Sequence, residues 1–451
     1  MQPGKHILQD IVRRHKSGEP LGIYSVCSAH PQVLQAAMIQ SLSDESLVCI
    51  EATSNQVDQF GGYTGMTPPE FVDKVRSMAR QASLPSERII LGGDHLGPNA
   101  WQGQPAAVAM ERARELVAAY VAAGFTKIHL DASMRCADDP GSADEPLPDE
   151  IVGGRAADLC AVAERTCEES GDPVRPVYII GTEVPSPGGV NDVEDVLRVT
   201  RPEDAERTVS ITRKAFLDRG LEKAWERVIA VVVQPGVEFG DSSIHEYDRS
   251  RAVDLSRLIE NDPNLVFEAH STDYQTPSAL TQLVEDHFAI LKVGPWLTFV
   301  LREALFALES IECELLGHCR GGELSNLAGT LDQAMLDNPR YWDRYYHGEE
   351  NQQRLARRYS FSDRCRYYWP DGKVTQAVGR LLENLTTHAP PLSLISQYLP
   401  KQYEAIRDGR ISPGPRDLIQ DKIREVLSVY AAACGLVTIG SQSPNNTDPR
   451  S

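Results

Sequence analysis

The chain has 451 residues, of which 41% are hydrophobic, and a formal net charge of −19. That apolar share supports a sizeable core and excludes wholesale disorder, while the acidic balance argues against nucleic acid or an anionic membrane as principal partner, since phosphate-binding surfaces are basic. Nine scattered cysteines with no C-x-x-C pair signal neither a zinc finger nor a disulfide framework, and no run of about 18 uncharged apolar residues occurs, so a reducing cytoplasm is the expected setting.

In chain order, Lys5 to His15 has apolar residues at helical spacing and predicts a lead-in helix ended by Gly18-Glu19-Pro20. Gly22 to Val26 predicts a first strand and Gln32 to Ser41 a helix, with Pro31 at its tolerated first turn. Leu47 to Ile50 predicts the second strand and runs into Glu51, then a glycine-bearing segment, Phe60 to Met66, and a helix from Pro69 to Ala82. Ile89-Ile90-Leu91 predicts a third strand, stopped by Gly92-Gly93 and Pro98, with Asp94 and His95 emerging at its end. The alternation continues with strands at Thr126–Leu130, Val177–Ile180, Val228–Val233, Leu265–Phe267 and Phe288–Gly294, each preceded by a helical stretch.

Eight short, almost wholly apolar strands separated by helices are the pattern of parallel strands covered on both faces. Over residues 1–297 they predict an α/β fold, a TIM (β/α)8 barrel, with an open doubly wound sheet as the rival; no GxGxxG follows the first strand to favour its dinucleotide version. Residues 298–436 predict a helical extension packed on the barrel, and residues 437–451 a disordered tail.

A barrel gathers at one rim Glu51, Asn55, Asp94, His95, Asp131, Ser133, Glu183, Gln234, Glu238, Glu268, His270, Asp273 and Lys292. Crowded carboxylates raise one another's pKa, so a cation or a shared proton is needed to hold them. His95 and His270 with one or two carboxylates form a divalent-metal set with open positions, able to polarise a ketose carbonyl while a carboxylate moves a proton. Asp94 is the first choice for that carboxylate, with Glu51 and Asp273 behind it. Lys292 is expected to be an exposed lysine that binds a hydroxyl or phosphate, with a Schiff base as the metal-free alternative. His129 is read as structural, the acidic run Asp138 to Glu150 as a solvated loop, and Cys27 is left outside the mechanism.

The runs CSAHP, EATSNQVDQFGGYTGM, GGDHLGPN, KIHLDASM, GTEVPSPGG, VVQPGVEF, EAHSTDYQT, ILKVGPWLTF, SDRCRYYWP and SQYLPKQ, ordered from Cys27 to Gln402, resemble the signature segments of the non-catalytic or Z subunit of class II D-tagatose-1,6-bisphosphate aldolase. The resemblance implies a TIM barrel related to the zinc-dependent class II ketose-bisphosphate aldolases. It carries the proton-transfer role to Asp94 and metal ligation to His95 and His270, with zinc as the implied metal and manganese, nickel or magnesium as alternatives. At the sixth strand this chain has Gln234 where the aldolases have a ligand histidine, so Glu183 or Asp131 is needed to complete the ligand set. Ser271-Thr272-Asp273-Tyr274 replaces the aldolases' glycine-rich phosphate loop, which leaves a substrate phosphate to Arg364, Arg366, Lys401 or Lys292. Asn55, Ser133, Gln234 and Ser271 complete the expected substrate contacts.

Two functions follow from the resemblance. One is a ketose 4-epimerase interconverting D-tagatose 6-phosphate and D-fructose 6-phosphate, or the free sugars, in galactitol and tagatose catabolism. The other is a subunit that stabilises a separate catalytic aldolase chain; a homo-oligomer is also left open.

Overall fold

The computed structural model describes residues 6–142, 146–182, 197–317 and 323–436. Glu183 and the tail at 437–451 lie outside the described residues. Eight parallel strands, β1 (Ile23–Val26), β2 (Val48–Thr53), β3 (Ile89–Leu96), β4 (Lys127–Leu130), β5 (Val177–Gly181), β6 (Val228–Val232), β9 (Val266–Ala269) and β10 (Ile290–Val293), close into a barrel in which β10 pairs back to β1. Between β6 and β9, the two-residue strands β7 (Glu238–Phe239) and β8 (Ile244–His245) pair antiparallel outside the barrel. The open-sheet rival is thus set aside. The strands read as apolar runs because their inward and outward faces are both buried.

The lead-in helix, Ile7–Lys16, places Leu8, Ile11 and Val12 in one cluster with Ile23, Cys49, Ile90, Val177, Val266 and Ile290, so it closes the N-terminal end of the barrel. The helix Pro295–Leu316 follows β10 as the eighth helix of the ring and runs across the expected boundary at residue 297. The last helix, Pro415–Ala433, packs against Pro31–Asp44, Pro277–Glu285 and Pro295–Leu316, and Tyr430 Oη donates to the Thr272 carbonyl at 2.7 Å. The chain after β10 therefore shares the barrel's core rather than forming a separate one.

The glycine pair in β3 does not end the strand, which runs on to Leu96. A Cβ at Gly92 would lie 2.6 Å from Glu51 Cγ, so the glycine admits the neighbouring glutamate side chain into the barrel. At Gly97 a Cβ would meet the Asp131 carbonyl oxygen at 1.6 Å, which only a backbone without a side chain tolerates.

Two buried histidines tie the fold to pH. His6 caps the lead-in helix by accepting from Leu8 N at 3.1 Å, and His15 contacts His287 at 2.8 Å. Burial lowers both from 6.5 to about 4. A depressed histidine pKa stabilises fully above the unfolded value and loses that contribution as pH falls toward the folded value, here on the order of 3 kcal/mol for His6. The melting temperature is expected to drop steeply between pH 6.5 and 4, and His6→Asn, which keeps a capping oxygen, to flatten that drop; parallel pH profiles would contradict this assignment.

Candidate active site

A cavity of about 490 Å³ opens where the strands end, and Asn55, Asp94, His95, Asp131, His270, Ser271, Asp273, Lys292, Arg364 and Arg366 all line it. Residues far apart in sequence thus meet, because parallel strands deliver all their C-terminal ends to one rim, over which the helical part brings Arg364 and Arg366.

Asp94, His95, His129 and His270 present ligand atoms within 4.8 Å of one another. Their ring centroids are close: His95 to His270 4.9 Å, His95 to His129 5.0 Å, His129 to His270 5.3 Å. In each ring one nitrogen is tied to a protein acceptor. His95 Nδ1 donates to Asp131 Oδ2 at 2.8 Å, His129 Nε2 to the Gly181 carbonyl at 3.0 Å, and His270 Nε2 to Glu268 Oε1 at 2.9 Å. Because carboxylates and carbonyls only accept, those nitrogens carry the protons, the arrangement by which metal-ligating histidines are held through their other nitrogen. His95 itself sits at φ 50 and Ser271, next to His270, also at φ 50, so both strand ends carry left-handed backbone at the cluster.

Beneath the cluster lies a belt of buried charge. Lys127 Nζ is 2.7 Å from Glu51 and 2.6 Å from Glu268, as close ion pairs without hydrogen-bond alignment, and all three side chains are fully buried. Lys292 Nζ contacts Glu51, and Asp94 Oδ1 at 2.8 Å. Burial pushes the Asp94 carboxyl up, but His95 and Lys292 outweigh it and hold it well below the usual carboxylate range. Burial lowers Lys292 and Lys127 less than their carboxylate partners raise them, so both remain ammoniums. Among the described residues of this belt, four carboxylates (Glu51, Asp94, Asp131, Glu268) face two ammoniums (Lys127, Lys292), leaving two negative charges beside three imidazoles. A divalent cation matches both that charge and the nitrogen-rich donor set, so the residues fit such an ion.

Several expectations change here. His129 is no remote structural residue: on β4 and two positions before Asp131, which directly follows the strand, it lies within 3.0 Å of Asp94 Oδ1. Lys292 is buried rather than exposed, and as a paired ammonium it is no Schiff-base amine. Asp131 orients His95 instead of joining the four-residue cluster, and Ser133 Oγ donates to Asp131 Oδ1 at 2.6 Å, supporting Asp131 rather than lining the cavity itself. Gln234 folds onto its own loop, its Oε1 accepting from Gly236 N at 2.8 Å and Val237 N at 3.0 Å. Glu51 lies below the cavity, between the two lysines. Asp273 accepts from Gly294 N at 3.0 Å and Trp296 N at 2.8 Å, capping the helix that follows β10, and burial pushes its carboxyl up to about 6 despite those bonds. Lys401 pairs with Glu425 at 3.0 Å on a different surface. In the acidic run, Asp138 accepts from Ala106 N at 2.6 Å and Asp139 pairs with Arg155, so its start is anchored rather than solvated.

A family model described as D-tagatose-1,6-bisphosphate aldolase subunit GatZ/KbaZ-like matches residues 8–435. The chain belongs to that family. A crystal structure from Sinorhizobium meliloti 1021, described as a probable tagatose 6 phosphate kinase, is 48% identical, with 92% of this chain and 100% of that one covered and a TM-score of 0.83. The YdjI aldolase of Escherichia coli K12 is 12% identical over 85% of this chain and 97% of its own, with a TM-score of 0.40. The fructose-bisphosphate aldolase of Campylobacter jejuni is 13% identical over 84% and 92%, with a TM-score of 0.41. Among the described residues, no helix of this GatZ/KbaZ-like chain is long and apolar enough to cross a membrane.

Proposed function

We propose that this GatZ/KbaZ-like chain is a divalent-metal-dependent ketose 4-epimerase that interconverts D-tagatose 6-phosphate and D-fructose 6-phosphate. The observation that carries the reading is the set of three imidazoles, each held by its second nitrogen, around Asp94 at the floor of a polar cavity. A purely structural rim gains nothing from concentrating charge in this way, since buried unpaired charge costs stability. Tagatose 6-phosphate is the sugar phosphate in the description of the 48% identical neighbour, and Arg364 and Arg366 on the cavity wall suit its phosphate.

A cation held by the imidazoles of His95, His129 and His270 would supply the positive charge that offsets electron density arriving at the substrate's C2 oxygen. Asp94 takes the proton from the C4 hydroxyl. The C3–C4 bond then breaks, its electron pair passing toward C2 while C4 becomes an aldehyde. The aldehyde half turns to offer its other face, the bond re-forms, and Asp94 returns the proton to the C4 oxygen. Lys292 fixes the Asp94 carboxylate by an ion pair at 2.8 Å. The walls keep the two halves together so that neither is released.

The purified chain incubated with tagatose 6-phosphate is expected to form fructose 6-phosphate, to stop with chelator and to resume with added divalent metal. A second reading, that the chain assists a catalytic tagatose-bisphosphate aldolase, is favoured by the family's description as an aldolase subunit. Turnover absent under every divalent metal, with activation of a co-expressed aldolase, would decide for that role. Because Asp131 holds His95 Nδ1, Asp131→Ala is expected to weaken zinc affinity about 10–100-fold, read by competition with a chromogenic chelator; unchanged affinity would remove Asp131 from the site's support.

A further inference from the structure

Behind the substrate cavity lies a second one of about 430 Å³, between the barrel and the helices that follow it. Its floor is apolar: Leu301 and Leu305, Val378 and Leu382, and Ile419 come from the helices Pro295–Leu316, Gly372–Thr387 and Pro415–Ala433. Half-buried Lys74 and, at the solvent-exposed mouth, Arg416 also line it, and neither has an ion-pair or hydrogen-bond partner among the described residues. In a chain of net charge −19, two unneutralised cations on one apolar cavity are a marked local asymmetry. Burial lowers the Lys74 pKa, as expected for an ammonium held against apolar walls without a counter-charge. At Gly379, on the same wall, a Cβ would meet no atom within 4 Å, so the helix face there borders open space.

We propose that this cavity binds a small amphipathic anion, an apolar body bearing one carboxylate or phosphate group, with Lys74 and Arg416 receiving the anionic end. Apolar walls with a few convergent polar groups are the common composition of small-molecule sites. Gln56, Tyr63 and Arg366 border both cavities, so an occupant would touch side chains that also face the substrate. The site does not depend on the epimerase reading, and its test needs no turnover.

Decanoate serves as the probe, titrated against the full chain by calorimetry. One saturable site is expected. Gly379→Leu, which fills the cavity and improves helix propensity, is expected to weaken decanoate at least about tenfold with an unchanged or raised melting temperature. Lys74→Met is expected to weaken it about threefold to tenfold by removing the counter-charge. Asp94→Asn, in the other cavity, is expected to leave decanoate affinity unchanged. Should Gly379→Leu not fold, Val378→Phe fills the same space. No saturable binding to the wild-type chain, or equal affinity in a folded cavity-filling variant, would overturn the proposal.

Discussion

Replacing Lys127 by methionine is expected to destabilise the fold by about 3–5 kcal/mol, the usual consequence of leaving buried charges without their partner. Lys127 is fully buried on β4, and its ammonium stands between Glu51 on β2 and Glu268 on β9 at 2.7 and 2.6 Å. With the ammonium gone, two carboxylates face each other across the barrel interior, answered by Lys292 and, at Glu268, by the His270 N–H. One of them must then take up a proton or admit water. The double variant Lys127→Met with Glu268→Gln is expected to recover part of the loss, since it removes an uncompensated charge, although His270 then loses its carboxylate acceptor. Urea denaturation of the wild type, both single variants and the double variant reads the coupling directly. A single variant within about 0.5 kcal/mol of wild type would show that the belt contributes little.

Asp94→Asn is expected to lower kcat for tagatose 6-phosphate about 1,000-fold, the scale of losing a positioned proton carrier, while the chain stays folded. The amide keeps the side chain's shape and an oxygen that accepts from Lys292 but cannot take up the C4 hydroxyl proton. Zinc content, measured on the same sample, separates loss of the proton carrier from loss of the cation. A rate within a few fold of wild type would remove Asp94 from the mechanism.

The barrel was legible because each strand is a short apolar run that ends on a polar residue, a pattern that parallel strands buried on both faces impose. Asp94, His95 and His270 were legible for the same reason, standing where an apolar run stops. Lys127 and His129 were not. A lysine opening an apolar strand reads as a solvated end, and nothing local in the sequence indicates that β2 and β9 bring Glu51 and Glu268 to it. The signal available was the spacing Lys127, His129, Asp131, which places two ionisable side chains on one face of β4 and a third just past its end. Gln234, expected to contact substrate, instead closes a local turn with its side chain. The glycine pair in β3 was legible as special but for the wrong cause, since it admits the Glu51 side chain rather than stopping the strand.

The most direct test of the central claim is the fate of the C4 hydrogen when the purified, metal-loaded chain acts on tagatose 6-phosphate in D2O, followed by NMR. Bond cleavage between C3 and C4 leaves the C4–H bond intact, so fructose 6-phosphate with protium at C4 is expected. Deuterium at C4, or no fructose 6-phosphate with any divalent metal, would contradict it.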